Sequence, residues 1–436
     1  MTLVQFGKIS VMKLSSGEVL GFHNENLEIA RLSEDLWQSL AESKLDDVAM
    51  TELKLWSNTS TDTRSHLALN SNKDLASYKT LTINSTQLCN LRCTYCAAGG
   101  DGTYGAPMSK LDLSKGLPQL EWLIMKCNEG DYFQINFLGG EPLLYPEVIE
   151  SVIFKANELA LKQKIHLRYL VITNGTQFND SVLKLLTDNQ ISVTVSVDGP
   201  EKVQNQFRPQ ANGKGSFAAV QEGLQKLKEI SHALPSVGLS AVFHKDHLEV
   251  FQTYQYFRSW NFDFYELNYS HTDFDVKGND RYISEINRVA EDAHLFGGER
   301  ELRKIRNLDG IFSRLDDQIR LENFCGSGRS LLSMDTKGKL YACPWDINDF
   351  NLNLSHQNGG VDSEKQQQYL DPQISKIECS TCWAKYVCGG GCNFNHRSGT
   401  GSNIKVEPIF CKRIQGLIQI AFIYYEKYRR NEHEAH

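Results

Sequence analysis

The chain has 436 residues, 41% of them hydrophobic and 23% charged, and a formal net charge of −7. That length allows two or three domains around a large core, and the acidic balance offers no basic field for nucleic acid. Residues 1–30 hold no apolar run behind a basic segment, and no stretch approaches a membrane-spanning length, so neither a secretory signal nor a membrane span is expected and the cytoplasm is the expected location.

The N-terminal part, residues 1–78, alternates apolar and polar residues over Ile9–Leu14, Val19–His23 and Leu27–Leu32, with a turn at Ser15-Ser16-Gly17. Ser33 then caps a helical run through Leu40. Three strands and a helix resemble a small winged-helix-like peptide recognition module; a plain extension packing on the next domain is the alternative. Over residues 79–320 strand-like runs alternate with helical ones. The strands are Leu81–Thr86, Phe133–Leu138, Arg168–Thr173, Ser192–Val197, Gly238–Phe243 and Phe262–Tyr269, with helices such as Pro146–Lys162 and Asp180–Asp188 between them. This alternation predicts an α/β fold, a partial (β/α)6 TIM-like barrel of parallel strands with right-handed crossovers. Chemistry in such barrels sits at the C-terminal strand ends. Residues 321–436 are rich in cysteine, and Ile414–Tyr425 reads as a packed terminal helix.

Ten of the 11 cysteines fall in two groups, which without a signal peptide argues for metal rather than disulfides. The other, Cys127, reads as a buried core thiol. The first group is Cys89-Asn-Leu-Arg-Cys93-Thr-Tyr-Cys96, directly after the first barrel strand. Three thiolates at this spacing suit three irons of a 4Fe–4S cube and leave the fourth iron open for a ligand; a zinc loop is the alternative. The run resembles the signature of the radical S-adenosylmethionine (SAM) superfamily.

That resemblance implies a SAM site on the motifs that end the next strands. Gly139-Gly140-Glu141-Pro142 follows the second strand, and its glycines and Glu141 would hold the methionine amino group, although a simple turn has the same composition. Thr173-Asn174-Gly175 ends the third strand and Ser196-Val-Asp-Gly-Pro200 the fourth. Asn174 joins the SAM-binding set, Ser196 is expected on the ribose hydroxyls, and Arg208 on the carboxylate. Tyr95 is expected on adenine, or as a core aromatic. Relatives often carry an acidic residue shortly before that arginine, where this chain has Asn205. The implied chemistry is cleavage of SAM by the reduced cluster to a 5′-deoxyadenosyl radical, which abstracts hydrogen from an unactivated C–H bond.

The second group is Cys325, Cys343, Cys379, Cys382, Cys388, Cys392 and Cys411, with Gly338 five residues before Cys343. The pattern is similar to that of the SPASM domain, found behind radical SAM barrels that modify peptides. By that resemblance Cys379, Cys382, Cys388 and Cys411 hold an outer auxiliary 4Fe–4S cluster. Cys325, Cys343 and Cys392 hold an inner one that lacks a fourth cysteine. Structural zinc is the alternative, but seven cysteines do not complete two four-cysteine sites. Lys337-Gly338 reads as a hairpin turn, and Gly389–Gly391 as a tight turn or a source of backbone N–H groups for sulfur.

The resemblance covers residues 81–411, roughly three quarters of the chain. It implies a radical SAM/SPASM maturase of a ribosomal precursor peptide with a leader, served by a reductant such as flavodoxin or ferredoxin. The expected product is a side-chain cross-link, C–C or C–O, from an aromatic ring to a β-carbon, as in triceptide and darobactin-type maturases. Thioether formation, formylglycine formation by an anaerobic sulfatase maturase, and a non-catalytic metal-binding scaffold are the alternatives. Sulfatase maturases carry an aspartate directly after the cysteine that corresponds to Cys343. Here that position is Pro344, and the nearest carboxylate is Asp346, a candidate catalytic base.

Overall fold

The computed structural model describes residues 2–14, 17–42, 50, 51, 53, 54, 56, 78–96 and 110–434. Ser15 and Ser16 of the expected first turn lie outside these. The chain divides into two compact units that do not follow its linear order. One comprises residues 1–71, 271–324 and 372–436, the other residues 72–270 and 325–371.

In the second unit, an eight-stranded sheet runs in the order β10-β9-β8-β7-β6-β5-β11-β12. Six of its strands, β5 (Thr80–Thr86), β6 (Tyr132–Gly139), β7 (His166–Thr173), β8 (Ile191–Ser196), β9 (Val237–Phe243) and β10 (Phe264–Tyr269), are parallel, each beside its successor. Helices return the chain between them, giving the partial (β/α)6 barrel. Each helix shows why: Pro146–Gln163 buries Val148, Ile149, Val152, Ile153, Ala156, Leu159 and Ala160, a stripe at three- and four-residue spacing. Residues 325–371 belong to this unit because β11 (Leu331–Met334) adds in parallel to the free edge of β5. β12 (Leu340–Tyr341) pairs back on β11, and Gly338 at φ +73 makes the expected hairpin turn.

In the other unit, β1 (Thr2–Phe6), β2 (Ile9–Lys13), β3 (Val19–His23) and β4 (Ile29–Leu32) form an antiparallel meander. The sequence pattern predicts three of these strands; β1 is the addition. The Ser33 hydroxyl accepts from the Leu36 N–H and caps the helix Glu34–Ala41, whose Leu36, Trp37 and Leu40 pack on Ile9, Val11 and Val19. β3 is buried along its whole length. Phe22 lies 4.4 Å from the ring of Phe422 in the terminal helix Pro408–Glu434 and edge-on to Trp383. No helix among the described residues is long and apolar enough to cross a membrane.

Candidate active site

The motifs that end β5, β6, β7 and β8 meet at one edge of the barrel sheet. The loop that carries Cys89, Cys93 and Cys96 is sewn in from two sides. On one side the Gly140 N–H donates to Thr86 O (2.7 Å) and the Glu141 N–H to Leu88 O (2.8 Å). On the other side the Arg92 N–H donates to Pro209 O, the Thr94 N–H to Phe207 O and the Ala211 N–H to Asn90 O. A β-carbon on Gly139 would stand 2.2 Å from Thr86 O, and one on Gly140 2.1 Å from Leu88 O. The close approach made by this glycine pair is therefore to the backbone leading into Cys89.

Glu141 is fully buried. Its carboxylate accepts from the Thr173 hydroxyl (2.7 Å), the Asn174 N–H (2.7 Å) and the Leu143 N–H (3.0 Å). Burial nonetheless pushes the carboxyl above its usual range, against these donors. Such a group gains most from a cation. Asn174 also links this corner to the cysteine loop: its Nδ2 donates to Asn90 Oδ1 (2.8 Å) and lies 3.6 Å from Cys89 Sγ.

Tyr95, between the last two cysteines of the run, donates to Asp198 at 2.7–2.8 Å and accepts from Arg208 Nη1 at 2.7 Å. Asp198 and Arg208 are an ion pair at 3.9 Å, both buried. Arg208 thus arrives with its charge balanced, while its Nε has no partner among the described residues and leaves a donor for a ligand anion. Asn205 turns away from this corner and accepts from the Phe217 N–H at 2.9 Å, at the start of the helix Phe217–Ile230. Gly215 leaves room for its amide, since a β-carbon there would lie 2.5 Å from Asn205. Ser196 is half-buried at the end of β8, opposite Ser240.

Two residue sets escaped the sequence reading. Asp198 sits inside a recognised motif, yet Tyr95, which joins it to Arg208, lies 103 positions before it and 113 before Arg208, a meeting settled only by the fold. His244 and His247 follow β9: His244 packs against Tyr95 (5.5 Å between centroids), and His247 stacks on Phe207 at 4.9 Å. Histidines after a strand carry no pattern of their own; the signal was that the four preceding strands of this sheet each end in a motif.

The donor set fits a cluster. Cys89 Sγ receives the Leu91 N–H at 3.4 Å as well as the Asn174 amide, which suits a thiolate. Burial raises the Cys89 thiol, and Cys93 is pushed up to about 11. Neither thiol ionises readily without a metal to take its proton's place. Among the described residues no three His, Cys, Asp or Glu side chains converge on a single metal-ion position.

The other unit gathers Cys379, Cys382, Cys388 and Cys411. Burial, with Cys388, Cys379 and Cys382 as charged neighbours, pushes Cys411 up to about 12. Burial, with Cys382 and Cys379, does the same to Cys388, and the Gly390 and Gly391 N–H groups bond to its sulfur. Gly389, Gly390 and Gly391 all have φ between +73 and +86. Gln415 Nε2 reaches Cys382 Sγ at 3.6 Å. Cys392 lies in this unit, while Cys325 and Cys343 lie in the other. Cys127 is buried against Tyr78 O and Leu123 O. Pro344 begins a short 3-10 turn, and Asp346 within it is 2% exposed, so this carboxylate is not a solvated one.

A parallel barrel whose strand ends converge on a three-cysteine loop defines a class of enzymes that work with SAM and a 4Fe–4S cluster. Residues 83–253 match the Radical SAM superfamily, and the chain carries a domain of that superfamily. Among curated relatives, the serine-type anaerobic sulfatase-maturating enzyme of Klebsiella pneumoniae is 25% identical over 72% of this chain and 81% of its own. The cysteine-type enzyme of Clostridium novyi is 24% identical over 76% and 94%. The mycofactocin maturase MftC of Mycolicibacterium smegmatis is 25% identical over 72% and 77%. Of solved structures, native anSMEcpe with bound AdoMet superposes with a TM-score of 0.65 at 20% identity, covering 81% of this chain and 99% of that one. Streptococcus suis SuiB bound to precursor peptide SuiA gives 0.52 at 14%, covering 94% and 100%.

Proposed function

We propose that this radical SAM enzyme matures a ribosomally made peptide, oxidising it by two electrons to form a side-chain cross-link. The observation that carries the reading is that one chain holds both the site around Glu141, Asn174 and Cys89 and the four-cysteine array Cys379, Cys382, Cys388 and Cys411. The first suits SAM cleavage, and the second offers a path for the electrons that must leave the substrate.

Cys89, Cys93 and Cys96 would hold the catalytic cluster, with Cys379, Cys382, Cys388 and Cys411 on the outer auxiliary one and Cys325, Cys343 and Cys392 on the inner. Together the cluster and SAM supply a carbon radical that abstracts hydrogen from an unactivated C–H bond. The chain's own residues orient and exclude water. Glu141, buried and short of positive charge, receives the SAM ammonium. Arg208, held by Tyr95 and Asp198, turns its free Nε to the carboxylate. Gly139, Gly140 and Asn174 fix the loop, Tyr95 and Ser196 line the nucleoside side, and the residues before Lys79 take the leader.

Formylglycine formation is the second reading. The sulfatase-maturating relatives favour it, and so does Asp346, buried close after Cys343. Pro344, which has no titratable group, counts against it. The test is anaerobic incubation with SAM, dithionite and either any short peptide encoded by a neighbouring reading frame or a sulfatase-type Ser or Cys peptide. Loss of two hydrogens from the neighbouring peptide, with 5′-deoxyadenosine formed and no aldehyde trapped by a hydrazide, supports the cross-link. A hydrazide-reactive sulfatase peptide formed as fast as SAM is cleaved overturns it.

A further inference from the structure

Lys376 is 8% exposed, three residues before Cys379. Its ammonium donates to Gln373 O (3.1 Å) and Gly390 O (3.2 Å), the second being the carbonyl midway along the glycine turn from Cys388 to Cys392. Both partners are neutral. No carboxylate among the described residues pairs with it, whereas the buried Arg208 has Asp198. An ammonium buried without an anion costs several kcal/mol. Such a residue persists where a negative charge that is not a carboxylate stands nearby. Burial works against the charge on Lys376, and the sulfurs of Cys379, Cys388, Cys411 and Cys392 work in its favour.

A second cation sits on the same array. Arg314 Nη1 donates to Val387 O at 2.9 Å, the carbonyl just before Cys388. On the far side of Gly390, the His396 ring accepts the Glu407 N–H at Nδ1 (2.9 Å), so Nε2 carries the proton and donates to the same Gly390 O (3.1 Å). The turn around Cys388 is thus surrounded by donors and positive charge.

We propose that Lys376 is the internal counter-ion of the outer auxiliary cluster and sets its reduction potential. The inference rests on the reading that Cys379, Cys382, Cys388 and Cys411 hold a 4Fe–4S cluster. Reduction adds one negative charge to a centre that is already anionic. A fixed neighbouring cation stabilises the reduced state more than the oxidised one, and the low dielectric around it prevents screening. With Lys376 in place the outer cluster accepts an electron more readily, as an acceptor for a substrate oxidation should. Lys376 is a positioning residue for charge and touches no substrate.

The experiment is an EPR-monitored redox titration of the reconstituted full chain, comparing wild type with K376M, K376Q and K376R. The outer cluster is identified as the wave that Cys411→Ala removes. The expected result is a more negative midpoint for that wave in K376M and K376Q, with K376R close to wild type. Loss of the outer cluster in Met and Gln but not in Arg also supports the counter-ion, because the charge is then needed for assembly. An unmoved wave in K376M and K376Q overturns the inference, as does an equal shift or loss in K376R. If Cys411→Ala removes no wave and iron content is unchanged by it, the cluster assignment fails first, and the inference with it.

Discussion

Replacing Gly140 by alanine would drive a methyl group into the backbone that leads to Cys89. The new β-carbon would lie 2.1 Å from Leu88 O, 2.4 Å from Leu88 C and 2.8 Å from Gln87 O. Ordinary contact begins near 3.4 Å, so the two loops must part by roughly 1.3 Å. Overpacking of this kind costs about 1–3 kcal/mol when the neighbours are rigid. The same displacement stretches the bonds from the Gly140 N–H to Thr86 O and from the Glu141 N–H to Leu88 O, each worth about 1 kcal/mol. A total of about 3–5 kcal/mol follows, and the carbonyl that moves belongs to the residue before the first cluster cysteine. Gly130→Ala is the control: at φ +84 with nothing within 4 Å of the added carbon, it pays only the left-handed backbone term of about 1–2 kcal/mol. Urea unfolding midpoints measured in parallel, with the SAM-sensitive EPR signal of the reconstituted proteins, test the difference. A Gly140→Ala protein that unfolds no earlier than Gly130→Ala and keeps its SAM-sensitive signal would refute the claim that this glycine serves the loop-to-loop contact.

Changing Cys89, Cys93 and Cys96 together to alanine should abolish 5′-deoxyadenosine formation under dithionite while the iron held by the auxiliary cysteines remains, as read by chromatography and iron analysis. Gly390→Ala should remove outer-cluster iron selectively, because φ +86 disfavours a side chain and the new carbon would meet Gln373 C at 2.4 Å; equal iron content in mutant and wild type would contradict this. Burial first, then Arg413, lowers His271 to about 4, with Asn395 Nδ2 at 2.7 Å from its Nδ1. The unfolded chain therefore binds the proton first as the medium is acidified. The stability of the neutral ring is complete above the ordinary histidine value and is lost progressively toward about pH 4. Urea midpoints that fall with acidification in wild type, and fall less in His271→Phe, are the expected outcome.

The barrel was legible because strand-like runs alternate with helical ones along the chain, and four of the six strands end in a motif that needs a strand end. The limits were set by single residues. Leu27 takes φ +59, so the third predicted strand of the N-terminal meander begins only at Ile29. β1 is a short edge strand, Thr2–Phe6, that pairs on one side only and carries no clear alternation. The compact units could not be read from linear order, since β11 returns to the edge of β5 after some 240 residues. In the site, cysteines and glycines announced themselves by spacing. Asp198, His244 and Lys376 did not, because each draws its meaning from partners that only the fold supplies.

The position after Cys343 bears on chemistry more than any other. A proline there removes the base that a formylglycine-forming enzyme would use, yet the 3-10 turn it starts carries Asp346 into a buried place. A carboxylate is costly to bury without purpose, so two roles compete for Asp346. One is to anchor the turn; the other is to take a proton released during substrate oxidation. Asp346→Asn separates them. An anchor acts only through the turn, and SAM cleavage and peptide oxidation then fall together or not at all. A base is lost with its charge, so 5′-deoxyadenosine continues to form while the modified peptide fails to appear. That uncoupling, with unchanged iron content, would assign the proton to Asp346. Retention of full peptide oxidation in Asp346→Asn would remove it from the chemistry and leave the formylglycine reading without a base on this turn.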